Sequence, residues 1–471
     1  MTFWQNFLKN LPEVAAPSQK KLAFNEKLKW TLVMLIAFFI LGHVPLFGLG
    51  LNALQQFEFL SLILGASFGS IISLGIGPIV TASIVLQLLN GSGIVKFDLT
   101  THEGKQTFQG IQKLLAIFFV LFEAAVFVLM GGLSPSPELM GTALFTQLRI
   151  MLIFQLVIGG VMIMFMDEVV SKWGIGSGIS LFIAAGVSEN IMVRLLTPFD
   201  TSGGVGYPFG GDSPAGGKLW ELMYGLSNVD SKLVLLALAA IVATIVVFVC
   251  AVYIQAMKVE IPLSFGRIRG HGIRWPLKFV YTSNIPVILI SALFANIQLW
   301  AKLLENWGHP ILGTFSGNTA ATGFVSWIFP QNVVGNIIKG EFVPIDIVHM
   351  LAYILILTAG CVLFAWFWVQ TSGMDAKAQA KQMTASGLSI PGFRSDERIL
   401  ERLLQRYIGP LTVMGAIAVG LLAALADLSG ALTQGTGILL TVMIIYQLYE
   451  QIAREHMMDM NPMMRKMMGG N

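Results

Sequence analysis

Ten stretches of this chain, each 19 to 25 residues long, are apolar and almost free of charge: roughly 30–48, 72–90, 113–131, 148–166, 174–193, 233–257, 279–300, 345–369, 408–426 and 431–450. Runs of that length match what is needed to cross a hydrocarbon core about 30 Å thick. Only helices and closed barrels satisfy every backbone group at that depth. The runs are continuous rather than alternating, so they read as helices and not barrel strands. Composition agrees: 12% of residues are charged, about half the share of a soluble domain. The reading is therefore an all-α integral membrane protein with about ten transmembrane helices. The two cysteines, Cys250 and Cys361, lie inside apolar runs, which argues against a disulfide framework or a thiolate metal site. Met1 to Leu11 lacks the basic start and unbroken apolar core of a cleavable signal peptide.

Lysine and arginine orient the spans. The N-terminus, the loops after spans two, four, six and eight, and the C-terminal tail hold 23 basic residues, and the opposite loops hold 6. By the positive-inside rule both termini are expected in the cytoplasm of a multi-pass cell-membrane protein. The chain then divides into a cytoplasmic amphipathic N-terminus (1–29), a first five-helix half (30–195), an external loop (196–232), a second five-helix half (233–453) with cytoplasmic loops 258–278 and 371–406, and a cytoplasmic tail (454–471). Phe3, Trp4, Phe7, Leu8 and Leu11 fall at helical spacing, as in a helix lying on the membrane surface. The stretch 198–217, rich in Gly, Pro and Ser, reads as a flexible loop. The stretch 371–402 reads as an ordered projecting loop. The apolar segment 57–73 is broken by Gly65, Ser67, Gly69 and Ser70 and reads as a half-helix folding back into the membrane. Spans two and seven are interrupted alike, by Gly75-Ile-Gly-Pro-Ile79 and Asn284-Ile-Pro-Val-Ile288. That pattern points to two pseudo-symmetric inverted halves with a site between them.

No catalytic constellation is found: no Gly-rich loop ending in Lys-Ser or Lys-Thr, no zinc helix, no histidine pair at ligand spacing. No cofactor or metal is implied, and the chain does not read as an enzyme. Glu123 lies deep in a span, where a charge costs about 2.5–3.5 kcal/mol. Two readings of it stand: a carboxyl hydrogen-bonded to a neighbouring helix, or a group in a functional polar cavity. A secondary transporter built from inverted repeats is the main rival function, and it would need convergent polar groups at the midplane.

Seven strings, in order along nearly the whole chain, resemble SecY, the channel subunit of the Sec translocon, in its archaeal and eukaryotic form. They are Leu74-Gly-Ile-Gly-Pro-Ile-Val-Thr81, Asp167-Glu-Val-Val-Ser-Lys-Trp-Gly-Ile-Gly-Ser-Gly-Ile179, Ile261-Pro-Leu-Ser-Phe-Gly-Arg267-Ile-Arg269-Gly270, Phe279-Val-Tyr-Thr-Ser-Asn-Ile-Pro-Val-Ile288, Ala295-Asn-Ile-Gln-Leu-Trp300, Gly392-Phe-Arg394 and Gly435-Thr-Gly-Ile-Leu-Leu440. The resemblance implies a protein-conducting channel that moves secretory polypeptides across the membrane and releases membrane proteins laterally into it. It implies a pore ring of Ile76, Val80, Ile179, Ile183, Ile288 and Leu440. It also implies a re-entrant plug helix within 57–73, carrying Phe59, Leu60, Leu62, Ile63, Leu64 and Phe68. This plug lacks the basic residue often found in relatives. Thr81, Glu123 and Asn296 match a polar cluster at the family's lateral gate, and Arg267, Arg269 and Arg394 match its ribosome-docking loops. The implied partners are SecE-like and Sec beta-like single-span subunits, the translating ribosome with its RNA, signal sequences and nascent polypeptides, and the lipid bilayer. Read from spacing alone, Ile76/Val80 and Ile179/Ile183 each lie on one helix face, which suits ordinary packing as well as a ring. A narrow aliphatic ring resists wetting and blocks ions without a charged filter.

The topology has a direct test. Single cysteines introduced at Ser202 and Ser386 are expected to be labelled from opposite sides by an impermeant thiol reagent. Labelling from the same side would reverse the assignment.

Overall fold

Inside a bilayer a helix pairs its own backbone groups, so a continuous apolar run has one economical form. A computed structural model describes residues 12–18, 22–52, 66–91, 94–95, 97, 101–200, 204–211, 213–265, 272–317, 319–385, 388–389 and 397–460. Ten helices take up the ten apolar runs: α1 (Phe24–Gly42), α2 (Gly77–Gly91), α3 (His102–Leu129), α4 (Ala143–Trp173), α5 (Gly178–Leu196), α6 (Ser231–Ala256), α7 (Ile285–Asn306), α8 (Ile345–Thr371), α9 (Glu397–Leu428) and α10 (Gly435–Met460). Helices α3 to α10 are each long and apolar enough to cross a membrane.

The halves are legible in the packing. Within the first, α2 packs on α3, α3 on α4, α1 on α4, α4 on α5 and α1 on α5. Adding five to each number gives pairs that also pack: α7 on α8, α8 on α9, α6 on α9, α9 on α10 and α6 on α10. Each half crosses five times, so the second enters from the opposite face and the repeat is inverted. The halves meet chiefly along α5 with α10, and along α2 with α7 and α8. Helix α7 sits centrally, with 72% of its most apolar window buried, against 17% for α6. Leu235, Leu238, Val242, Ile245 and Val249 of α6 form an exposed stripe, a surface for lipid rather than water.

Helix α2 is short. Its 15 residues reach about 22 Å, less than the hydrocarbon core. Residues 68–76 complete the path as a chain of turns. Of the expected plug segment 57–73, residues 66–73 are thus turn-rich rather than helical. Phe68 is half-buried there, while Phe59, Leu60, Leu62, Ile63 and Leu64 lie outside the described residues. This irregular backbone is tolerated because protein encloses and pairs it. Leu46 N–H donates to the Gly69 carbonyl at 2.9 Å, and Ile71 N–H donates to that of Val44 at 3.0 Å. Helix α4 makes room for it: a Cβ on Gly159 would lie 1.9 Å from the Ile71 carbonyl oxygen.

Three segments differ from their reading as loops. Residues 258–278 form a hairpin, β1 (Lys258–Phe265) and β2 (Gly272–Lys278), joined by a two-residue strand β3 (Leu388–Ser389) in the order β2-β1-β3. Helix α9 begins at Glu397, about three turns before the apolar run. Leu400, Leu404, Ile408 and Leu411 sit one helix turn apart and bury against Ile261 and Leu277 of the hairpin, a stripe hidden among charges. A helix at Ala376–Ala385 packs on α9. Outside the core, the described part of 198–217 is tied by Asp200, which accepts from Gly204 N–H at 2.9 Å and Ser213 Oγ at 2.7 Å. A helix at Lys218–Ser227 then packs on α6.

The segment 12–18 is strapped across the end of α4. Val14 N–H donates to Glu168 at 2.9 Å, Trp173 Nε1 donates to the Ala15 carbonyl at 2.9 Å, and Lys172 donates to the Val14 carbonyl at 2.6 Å. Lys172 also hydrogen-bonds Glu13, which lowers that carboxyl's pKa. The expected surface-helix residues 2–11, the hairpin tip 266–271, residues 390–396 and the tail 461–471 lie outside the described residues.

Gly159→Ala drives a methyl into backbone, and such overpacking costs about 1–3 kcal/mol. It is expected to lower the thermal unfolding midpoint of the purified protein in detergent. Gly186→Ala, whose Cβ meets nothing within 4 Å among the described residues, is expected to leave the midpoint unchanged or raised. Equal midpoints would mean that α4 does not hold the 68–76 turns.

Candidate functional site

The six residues expected to form a ring lie at the starts of four helices, five of them on the first two turns. Val80 is the fourth residue of α2 and Ile288 the fourth of α7. Each follows a proline at the second position, Pro78 or Pro286. Proline suits a first helical turn, where the missing N–H has no partner to lose. Ile183 is the sixth residue of α5 and Leu440 the sixth of α10. Ile76 stands just before α2, and its carbonyl accepts from Val80 N–H at 3.0 Å. Equivalent positions in the two halves therefore supply matched side chains.

All six join one apolar core. Ile76, Val80, Ile183, Ile288 and Leu440 are buried in it, and Ile179 is half-buried against it. Against them opens a cavity of about 490 Å³, with Val80, Ile179 and Ile288 in its wall. The rest of the wall mixes polar side chains, among them Ser83, Gln87, Lys105 and Gln109, with Phe108, Leu289 and Trp368. An aliphatic cluster of this kind offers a hydrated ion no compensating ligand.

The three polar residues also meet. Asn296 Nδ2 on α7 donates to Thr81 Oγ1 on α2 at 2.9 Å. Thr81 Oγ1 lies 3.4 Å from Glu123 Oε1 on α3 and 2.8 Å from the Gly77 carbonyl. Glu123 is 4% exposed. The network ties one half (α2 and α3) to the other (α7), and the acidic side chain has polar neighbours that make its burial tolerable. Arg267, Arg269 and Arg394 lie outside the described residues.

The sequence reading gave no role to two aspartates, the buried Asp427 and the half-buried Asp167. Asp427 ends α9 just past the apolar run; it accepts from Tyr353 Oη at 2.7 Å, from Thr436 N–H at 2.7 Å and from the Thr436 hydroxyl. Asp167, near the end of α4, accepts from Ile179 N–H at 2.9 Å. A signal was present in the sequence: each precedes a Gly-x-Gly pair, Gly176-Ser-Gly178 or Gly435-Thr-Gly437.

Comparison with known proteins places this geometry. The family model described as SecY matches residues 70–449. The chain is 46% identical over 463 residues to a protein translocase subunit SecY of Methanothermobacter thermautotrophicus, covering 98% of this chain and 97% of that protein. It is 42% identical to the corresponding subunit of Methanocaldococcus jannaschii, covering 98% of each. Among solved structures, one described as a protein-conducting channel superposes with a TM-score of 0.79 at 41% identity, covering 96% of this chain and 97% of that one. Sec61 in a canine ribosome–channel complex from the endoplasmic reticulum superposes with a TM-score of 0.77 at 40% identity, covering 96% and 97%. The inverted five-helix halves and these full-length similarities together place the chain in the SecY family, a family of translocation channels and not of enzymes.

Proposed function

We propose that this chain is the pore-forming subunit of a protein-conducting channel, passing secretory polypeptides across the membrane and releasing membrane segments sideways into it. The observation that carries the reading is the aliphatic cluster at the edge of a cavity between two inverted halves. A substrate transporter would place convergent hydrogen-bonding groups there; a ring of Ile, Val and Leu has none. An aliphatic ring can deform around unrelated chains because it makes no specific bond to any of them. Sideways release fits the seams. The chain passes from one half to the other through 197–230, beside α5, α6 and α10, so that side acts as a hinge. The opposite seam, α2 against α7 and α8, is non-covalent and can part. Thr81, Glu123 and Asn296 cross it as the polar cluster of the lateral gate.

The finer assignments belong to the same reading. Both termini and the β1–β2 hairpin face the cytoplasm, following the 23 to 6 split of basic residues. Arg267, Arg269 and Arg394 dock a translating ribosome, whose RNA phosphates suit planar guanidinium donors. Relatives solved on ribosomes, including the canine complex, support that partner. SecE-like and Sec beta-like single-span subunits complete the assembly, and residues 57–73 act as the plug.

The ring is the point to test. Replacing Ile76, Ile183 and Ile288 together by Asn is expected to wet the constriction and create a resting ion leak in planar bilayers. Import of a signal-bearing precursor should partly survive. A folded triple variant as silent as wild type would show that these side chains do not line the pore.

A further inference from the structure

The two ring helices that pack on each other, α5 and α10, start in the same way. Gly178 is the first residue of α5 and Gly435 the first of α10. The second residue of each donates its backbone N–H to an aspartate on the preceding helix: Ile179 to Asp167 Oδ1 at 2.9 Å, and Thr436 to Asp427 Oδ1 at 2.7 Å. Helix starts are ordinarily capped by the residue just before them. Among the described residues, Ser177 at that position makes no side-chain cap bond. The cap is instead drawn from the wall of the same half, and both glycines allow the approach. A Cβ on Gly178 would lie 2.8 Å from Asp167 Oδ1, and one on Gly435 would lie 2.0 Å from the Ala426 carbonyl carbon.

The capped turns are the turns that carry the ring. Ile179 is itself a ring residue, and Ile183 and Leu440 are the sixth residues of their helices. Successive side chains turn by about 100° around a helix axis, so a small slip in rotation swings an aliphatic group off the pore axis. Ring side chains cannot resist that slip by hydrogen bonds, having none. A bond at the second residue, anchored in α4 or α9, can.

We propose that Asp167 and Asp427 are positioning residues for the constriction, one in each half, holding α5 and α10 in the rotation at which Ile179, Ile183 and Leu440 close the pore. The inference rests on the ring reading above. Asp427 is met by the Thr436 N–H and by two hydroxyls, those of Tyr353 and Thr436. A hydroxyl accepts as well as donates, so an Asn there can keep its oxygen on the Thr436 N–H, as an Asn at 167 can on the Ile179 N–H. Removing either cap takes a side chain with no acceptor.

Single-channel recording of the complex assembled with its partner subunits tests this, with Ile183→Asn as the control for the ring itself. Losing a cap is expected to raise the resting open fraction about tenfold for Asp427→Leu and Asp167→Leu. Asp167→Asn, which keeps an acceptor, should stay within about twofold of wild type, since only cap loss carries the cost. Tyr353→Phe removes a donor to Asp427 but not the backbone cap; it should lower thermal stability without a leak. If Ile183→Asn leaks while Asp427→Leu and Asp167→Leu, intact by gel filtration, stay silent, the ring stands and the positioning role falls. If Asp167→Asn leaks as much as Asp167→Leu, the cap acceptor is not what matters and the proposal is overturned. If Ile183→Asn is also silent, the ring reading fails and takes the proposal with it. Should Asp427→Leu not assemble, the Asp167 pair decides alone.

Discussion

At bilayer depth an unpaired N–H or C=O costs several kcal/mol, and this single rule governs where the molecule can have a mechanism. Unbroken helices obey it without help, and α6 and α8 are examples. A pore ring needs something else. Helix starts are brought inside the protein so that four first turns converge, and each start exposes orphan N–H groups that the helix cannot pair. The site is therefore also the place with the greatest demand for outside hydrogen-bond partners.

Those partners are what the irregular parts of the chain supply. The turns at 68–76 lead into α2 and are paired to the end of α1 through Leu46 and Val44. The start of α7 is held from α10: Gln447 donates to Asn284 Oδ1 at 3.1 Å and to the Ser283 hydroxyl. Ser283 takes a left-handed backbone, φ 59°, unusual for a residue with a side chain. The starts of α5 and α10 receive aspartate caps. Apolar closure at the centre thus depends on polar satisfaction one layer out. Exchanging a ring side chain for another aliphatic one should cost little; disturbing the outer layer should cost more.

The sequence carried most of this unevenly. Ten apolar runs made the helices plain, and the matched breaks at Gly77-Pro78 and Ile285-Pro286 pointed to the repeat because proline and glycine act locally. The motif strings named six residues that the fold gathers in or against one apolar core. What could not be read arises from contacts between segments distant in sequence. Asp427 lies one residue outside its apolar run, so it looked like a loop acid until Tyr353 and Thr436 closed on it. The apolar stripe of Leu400, Leu404 and Ile408 is masked by glutamates and arginines on the other face, and it becomes a core only when the β1–β2 hairpin lies on it. Helix α2 looked like a full span because turns and helix are equally apolar.

The inverted repeat explains why such a site can both seal and yield. Five crossings per half bring α2 against α7 and α5 against α10, each helix facing its own counterpart across the approximate twofold. On the proposed reading, matched side chains meet from the two halves, and the ring opens or closes as the halves move as bodies, with no residue needing to move within its own half. Rigidity inside a half and freedom between halves are separate properties here, set by different contacts. Caps from α4 to α5 and from α9 to α10 belong to the first kind. The Thr81–Asn296 hydrogen bond across α2 and α7 belongs to the second. It is a polar contact that a parting seam can exchange for water or an incoming chain, since hydrogen bonds swapped in that way change the net energy little.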